Sequence, residues 1–142
     1  YNEYQKKGYN MNKIKAILHN KVLVEMKKRQ PSYDKIVVDQ FVYPRKYFEH
    51  INEATEKVTD ITFVTKAESI CASVAAASCI SRYVFLKKMD EISDEIHLPL
   101  LKGAGTLVDK QASEIVKNYG MDKLKEIAKL NFKNTEKLKE YL

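Results

Sequence analysis

The sequence predicts an α/β fold whose C-terminal part is rich in helix. Three observations carry this reading. Residues 35–41 and Ile61–Val64 are short β-branched or aromatic runs, with the length and composition of buried strands. A helical stretch opened by Pro44 lies between them. Strand, helix, strand reads as a right-handed crossover joining a parallel pair. Longer stretches with apolar residues at helical spacing flank that unit on both sides.

Asn10 offers a capping side chain for the first long helix, Met11–Arg29. Ile14, Ile17, Leu18, Val22 and Met26 recur at helical spacing and predict its buried stripe. Asn12, Lys15 and His19 share another line, at steps of three and four. Gln30-Pro31-Ser32 ends the helix. After the first strand, Pro44 begins a helix with Tyr47, Phe48 and Ile51 as its apolar positions. After the second strand, residues 72–92 predict a long helix. Its first half, residues 73–80, is small and apolar on nearly every side, which predicts close packing against a sheet. Lys87 and Lys88 fall toward its end, where positive charge is favoured. Residues 93–107 read as a loop containing Gly103-Ala104-Gly105. Thr106 or Asp109 caps the next helix, which stops near Gly120. Residues 121–130 and 134–142 read as further short amphipathic helices. No repeat or linker divides the chain, so residues 1–142 read as one domain.

The 142 residues suffice for one domain with a core of its own. With 44% hydrophobic and 31% charged residues, wholesale disorder is excluded. The longest apolar stretch, 72–86, is interrupted by Ser73, Ser78, Ser81 and Arg82. It falls short of the roughly 20 residues a membrane helix needs, and no membrane partner is expected. The chain opens on Tyr1-Asn2-Glu3-Tyr4, which reads as the interior of a longer protein without a signal peptide. The net charge of +6 favours polyanions, although a Lys-rich solvated surface has the same composition. Cys71 and Cys79, eight positions apart on one helix, would lie about 12 Å apart, too far for a disulfide. No CxxC pair exists to hold zinc. Two reduced thiols point to the cytoplasm.

Asp39 is the residue richest in chemical information. It follows Ile36-Val37-Val38 and so sits at the carboxyl end of a buried strand, where ligand sites of open α/β sheets gather. Glu68 follows the second strand and precedes the small-residue helix. Two carboxylates meeting there would suit Mg²⁺ or Mn²⁺, which prefer oxygen ligands. Read alone, Asp39 is also compatible with a cap or loop, and Glu68 with a solvated position near a helix start. Gly103-Ala104-Gly105-Thr106 could bring backbone amides to a phosphate, but it matches neither a Walker loop nor a dinucleotide fingerprint. No Ser/His/Asp or Cys/His constellation stands out.

Taken together, the chain resembles ribonuclease HIII, the type 3 ribonuclease H of bacteria. The resemblance rests first on residues 10–20, Asn-Met-Asn-Lys-Ile-Lys-Ala-Ile-Leu-His-Asn, and on Val38-Asp39-Gln40-Phe41. It continues with Ala67-Glu68, with residues 73–82, Ser-Val-Ala-Ala-Ala-Ser-Cys-Ile-Ser-Arg, and with Gly103-Ala104-Gly105-Thr106 plus Asp109. Each segment is short, and their order is the specific feature. Cys79 and Ser81 depart mildly from the apolar residue and Ala usual there.

The resemblance implies a ribonuclease H-like fold, here partial because the opening strands are missing, and a site of four carboxylates. Asp39 and Glu68 map onto the last two. Glu68 stands five residues before Ser73, as an acidic residue does in type 2 enzymes, where it is usually Asp. The implied activity is hydrolysis of the RNA strand of RNA–DNA hybrids with Mg²⁺ or Mn²⁺, since two metal ions activate water and stabilise the departing oxyanion. The helix bearing Asn12, Lys15, His19 and Asn20 is expected to border the substrate groove. Ser73, Ser78, Arg82, Lys102 and Thr106 are lesser contacts. The family's first Asp-Glu pair, its junction-reading Gly-Lys-Gly segment and its N-terminal substrate-binding domain have no counterpart here. The chain by itself is therefore expected to be inactive and prone to self-association. A non-catalytic nucleic-acid- or partner-binding module, or a type 2 fragment, are the alternative readings.

Overall fold

The structure is a computed structural model that describes residues 1–130. In chain order the elements are α1 (Asn2–Lys6), α2 (Met11–Arg29), β1 (Ile36–Asp39), α3 (Pro44–His50), β2 (Ile61–Val64), a 3-10 turn (Ala67–Ser69), α4 (Ala72–Glu95) and α5 (Thr106–Ile127). They fall into two compact units. One is Lys7–Arg82; the other combines Tyr1–Lys6 with the described residues from Tyr83 onward. No helix among the described residues is long and apolar enough to cross a membrane.

The Lys7–Arg82 unit is the α/β part. Asn10 caps α2 by accepting from the Lys13 N–H at 2.9 Å, and Pro31 follows the C-cap Gln30. β1 and β2 pair in parallel, with Ile36 opposite Ile61 and Asp39 opposite Val64. α3 is the crossover between them, and Pro44 at its start occupies a position whose N–H has no helical acceptor anyway. The core gathers around Ala16, Tyr47 and Ile51, with Phe41, Phe48 and Phe63 packed against it. The Tyr47 ring meets Phe63 and Phe48 edge-on, with centroids 5.0 Å and 5.4 Å away, a preferred aromatic geometry.

Two packing expectations are corrected in this unit. Ile14 of the predicted α2 stripe is buried, but Leu18, Val22 and Met26 are 48%, 57% and 58% exposed. The face that α2 buries carries Ala16 and Asn20, because the small Ala16 lets the helix come close to Tyr47 and Ile51. Apolar spacing finds a stripe; it does not say which neighbour meets it. The small-residue half of α4 is likewise not packed against a sheet, since no residue of α4 is buried among the described residues.

The second unit is helical. Its core is Ile96, Ile115 and Leu124, with Leu98, Leu100, Val116 and Met121 around it. Asn2 of α1 ties the unit together. Its Nδ2 donates to the carbonyls of Lys125 (2.7 Å) and Ala128 (2.9 Å), and its Oδ1 accepts from Leu130 N–H (3.2 Å). α4 runs on to Glu95, so Lys87 and Lys88 do not lie in its last turn; Lys88 pairs with Glu91 at 3.1 Å. Gly105 is the N-cap of α5, which makes Thr106 its first residue and Asp109 a buried first-turn residue, and neither is the cap. Gly120 breaks α5 with φ 81, a conformation that favours glycine, at the place where the sequence predicts a stop. The predicted helix over 134–142 lies outside the described residues.

Candidate active site

β1 delivers Asp39 to its carboxyl end, and the Gln40 N–H, donating to Val64 O at 2.9 Å, carries the pairing one residue further. β2 ends at Val64, and the chain reverses through Lys66, whose backbone is left-handed (φ 53, ψ 43). The 3-10 turn starts immediately, and its first N–H, that of Ala67, donates to Asp39 Oδ1 at 2.9 Å. Ala67 is fully buried. Asp39 and Glu68 are both exposed, and Glu68 follows the very residue whose amide holds Asp39.

The donor set suits a hard divalent cation. Among the described residues no Lys or Arg forms an ion pair with either carboxylate, so neither negative charge is already neutralised. Among the described residues no group of three or more His, Cys, Asp or Glu is placed to hold a metal. Two carboxylates leave room for further ligands or water.

α2 presents Lys15 and His19 to Phe41, two residues beyond Asp39. The Lys15 ammonium lies 5.6 Å from the Phe41 ring centre, and the His19 ring lies 5.1 Å away and tilted. Loss of hydration against this surface, and then the Lys15 charge, hold the His19 imidazole pKa below its usual value. Asn12, one turn before, is exposed. These three form one accessible polar line. Asn20 does not join it. It is 3% exposed, its Nδ2 donates to Glu56 O (2.8 Å) and its Oδ1 accepts from Val58 N–H (3.0 Å). Its amide is consumed in holding the segment before β2, so the expectation that it contacts substrate is corrected.

Ser73, Ser78 and Arg82 are exposed on α4, while Lys102 and Thr106 belong to the other compact unit. Cys71 and Cys79 are both free thiols. Cys71 Sγ lies 3.2 Å from Ser73 Oγ, and that hydrogen bond, followed by the Val74 amide, holds its pKa below the usual thiol value. Sequence reasoning assigned no role to Lys66 or Ala67. A lysine in a left-handed turn leaves no mark in a sequence, because the residues that advertise such turns are Gly and Asn.

The parallel strand pair with its crossover helix is an α/β unit found in many folds, and the likeness of this chain to solved ribonuclease HIII structures places it in the ribonuclease H-like class. The sequence profile of the ribonuclease HII family matches residues 1–135, and the chain belongs to that family. Ribonuclease HIII of Bacillus licheniformis is 43% identical over 141 residues, spanning 98% of this chain and 45% of that protein. Ribonuclease HIII of Phytoplasma mali is 44% identical over 137 residues, spanning 96% and 48%. The crystal structure of Bst-RNase HIII in complex with Mn²⁺ superimposes with a TM-score of 0.94 at 38% identity, over 99% of this chain and 47% of that one. The chain thus spans about half the length of the relatives it matches.

Proposed function

We propose that the whole protein is a type 3 ribonuclease H that hydrolyses the RNA strand of RNA–DNA hybrids, and that residues 1–142 are part of its one catalytic domain. The observation that carries this reading is Asp39, held at a strand end by the Ala67 N–H, with Glu68 the next residue along the chain from Ala67. The similarity to ribonucleases HIII, one of them solved with Mn²⁺, supports the same reading, and Glu rather than Asp at position 68 favours type 3 over type 2.

Asp39 and Glu68 would hold Mg²⁺ or Mn²⁺ through their exposed carboxylates. Bound there, divalent ions supply water activation and stabilisation of the leaving oxyanion. Lys15 would neutralise a phosphate of the hybrid, and neutral His19 and Asn12 would offer hydrogen bonds along the same line. Such a polar line reads the shape and 2′-hydroxyls of a hybrid rather than its sequence. The first Asp-Glu pair of the family has no counterpart among these residues, and the whole protein would supply it. The free thiols fit a cytoplasmic setting.

The test is Asp39→Asn in the whole protein. Asn keeps the shape and one oxygen but loses the charge that holds the metal. Groups one step further from a metal already cost about 10 to 100-fold when lost, so single-turnover cleavage of a labelled hybrid should fall by more than about a hundredfold. Hybrid binding measured in Ca²⁺ should persist, because phosphate contacts carry it. Near-normal cleavage would remove Asp39 from the chemistry and leave a nucleic-acid-binding module as the better reading.

A further inference from the structure

The two carboxylates are joined by one short piece of backbone. Lys66 takes φ 53 and ψ 43, a left-handed conformation that side-chain-bearing residues rarely adopt. Its carbonyl accepts the Ser69 N–H at 3.0 Å, which closes the turn. Ala67 comes next, with its methyl group wholly buried and its carbonyl accepting two amides, Ile70 (3.2 Å) and Cys71 (2.9 Å). The Ala67 peptide is therefore held on its carbonyl side by the chain that leads into α4. On its N–H side it holds Asp39 Oδ1. Glu68 hangs from the same turn.

We propose that Ala67 is a positioning residue for the candidate metal site, its N–H fixing the Asp39 carboxylate and the left-handed Lys66 aiming that N–H. The inference rests on the reading of Asp39 and Glu68 as metal ligands. One carboxylate oxygen is tied to the backbone, and the other is left to face the cation. Because the same turn carries Glu68, the bond also fixes the relation between the two ligands. The Ala67 methyl is wholly buried, so a larger side chain there would have to displace its surroundings. The side chain of Lys66 has no part in this; only its backbone conformation does.

The experiment uses the whole protein with two kinds of variant and two readouts. Replacing residue 67 by lactic acid exchanges the Ala67 N–H for an ester oxygen with little change in shape, and it also weakens the Lys66 carbonyl that accepts the Ser69 N–H. Lys66→Gly and Lys66→Val both remove the ammonium, but glycine accepts positive φ and a β-branched residue does not. The first readout is the χ1 distribution of Asp39 from NMR scalar couplings; the second is affinity for Mn²⁺ alone, from its electron paramagnetic resonance signal. In the unsubstituted protein Asp39 should occupy one rotamer, and in the ester variant it should average over several. Mn²⁺ affinity should fall about tenfold in the ester variant, as it does for lost outer-shell partners elsewhere. Lys66→Gly should stay within about twofold of the unsubstituted protein, and Lys66→Val should follow the ester variant. A single unchanged Asp39 rotamer in the ester variant would overturn the positioning role, whether or not Lys66→Val folds. Equal behaviour of the two Lys66 variants would remove the left-handed turn from it. If the unsubstituted whole protein took up no Mn²⁺, the metal reading would fail, while the rotamer measurement would still decide what Ala67 does.

Discussion

Val58 and Asn20 are locked together, the backbone N–H of Val58 donating to Asn20 Oδ1 at 3.0 Å while Asn20 Nδ2 reaches Glu56 O at 2.8 Å. Both residues are buried, so one side chain of α2 satisfies two backbone groups of the segment that leads into β2. Removing it strands a buried donor and a carbonyl. We expect Asn20→Ala to lose roughly 2 to 4 kcal/mol of stability, the sum of two such hydrogen bonds and the desolvation left behind. Urea unfolding by circular dichroism reads this directly. A stability within about 0.5 kcal/mol of the parent, together with weakened hybrid binding, would return Asn20 to the substrate groove.

Tyr47 poses the opposite case. Its side chain is fully buried among Phe41, Phe48 and Phe63, and its hydroxyl finds no hydrogen-bond partner among the described residues. Tyr47→Phe removes an unsatisfied polar atom, so we expect stability to hold or to rise by about 1 kcal/mol. Burial pushes the Tyr47 pKa up from 10.0 to about 12. The unfolded chain then releases this proton first. Its contribution is therefore intact below pH 10.0 and lost as pH rises through about 12. A pH series of the melting temperature should show the phenylalanine variant lacking that part of the decline. A clear destabilisation by Tyr47→Phe would reveal a partner for the hydroxyl.

Lys15 and His19 both face Phe41, yet they should act differently on a hybrid. Lys15 carries a full charge. His19, its pKa held below 6.5, is mainly neutral at pH 7. Lys15→Ala should weaken binding and reduce the slope of log affinity against log salt by about one. His19→Ala should weaken binding with the slope unchanged. Fluorescence anisotropy of a labelled hybrid across a salt series separates the two. Unchanged affinity in both variants would take this line of α2 out of the interface.

These residues show what a sequence carries and where it stops. The limits of α2 were legible because Asn10 and Pro31 act on the backbone within a few residues of themselves. The place of Asp39 was legible because the three β-branched residues before it read as a strand that it ends, although the local pattern also allowed a cap or a loop. The buried face of α2 was not, since Ala16 matters only when Tyr47 and Ile51 arrive from α3, some thirty residues later. Asn20 looked like its neighbours on a polar line, and only a partner 38 residues away distinguishes it. α1 is five residues long, too short for periodicity to show. The boundary between the two compact units falls within α4, where no Gly, Pro or polar linker marks it.

The ridge of Leu18, Val22 and Met26 along α2 stands exposed, one turn apart at each step. An apolar ridge on a solvated helix gains from meeting another, at roughly 1.5 kcal/mol or more for each such side chain that becomes fully buried. We expect sedimentation velocity of this chain across a dilution series to show species larger than the monomer. Leu18→Lys with Val22→Glu should return it to the monomer without loss of helical signal, since neither residue belongs to the core. A monomer at all concentrations in the unsubstituted chain would show that the ridge alone does not drive association.

Asp39 and Glu68 give this chain two carboxylates, and phosphodiester hydrolysis of the proposed kind asks for two jobs at once. One is to activate water, and the other is to stabilise the departing oxyanion. With ligands missing, the remaining carboxylates hold ions loosely and fix them less well, and a reacting geometry lost by about 1 Å already costs about a hundredfold. We therefore expect the 142-residue chain to show no metal-dependent cleavage of a labelled hybrid above background, with Mg²⁺ or Mn²⁺. Salt-sensitive hybrid binding should remain, because Lys15 and its neighbours are present. In the whole protein Glu68→Gln should be severe, though milder than Asp39→Asn if Glu68 mainly orients the water, and neither should weaken binding in Ca²⁺. Robust cutting by the chain alone, abolished by chelator and by Asp39→Asn, would show that these two carboxylates suffice and that no further pair is needed.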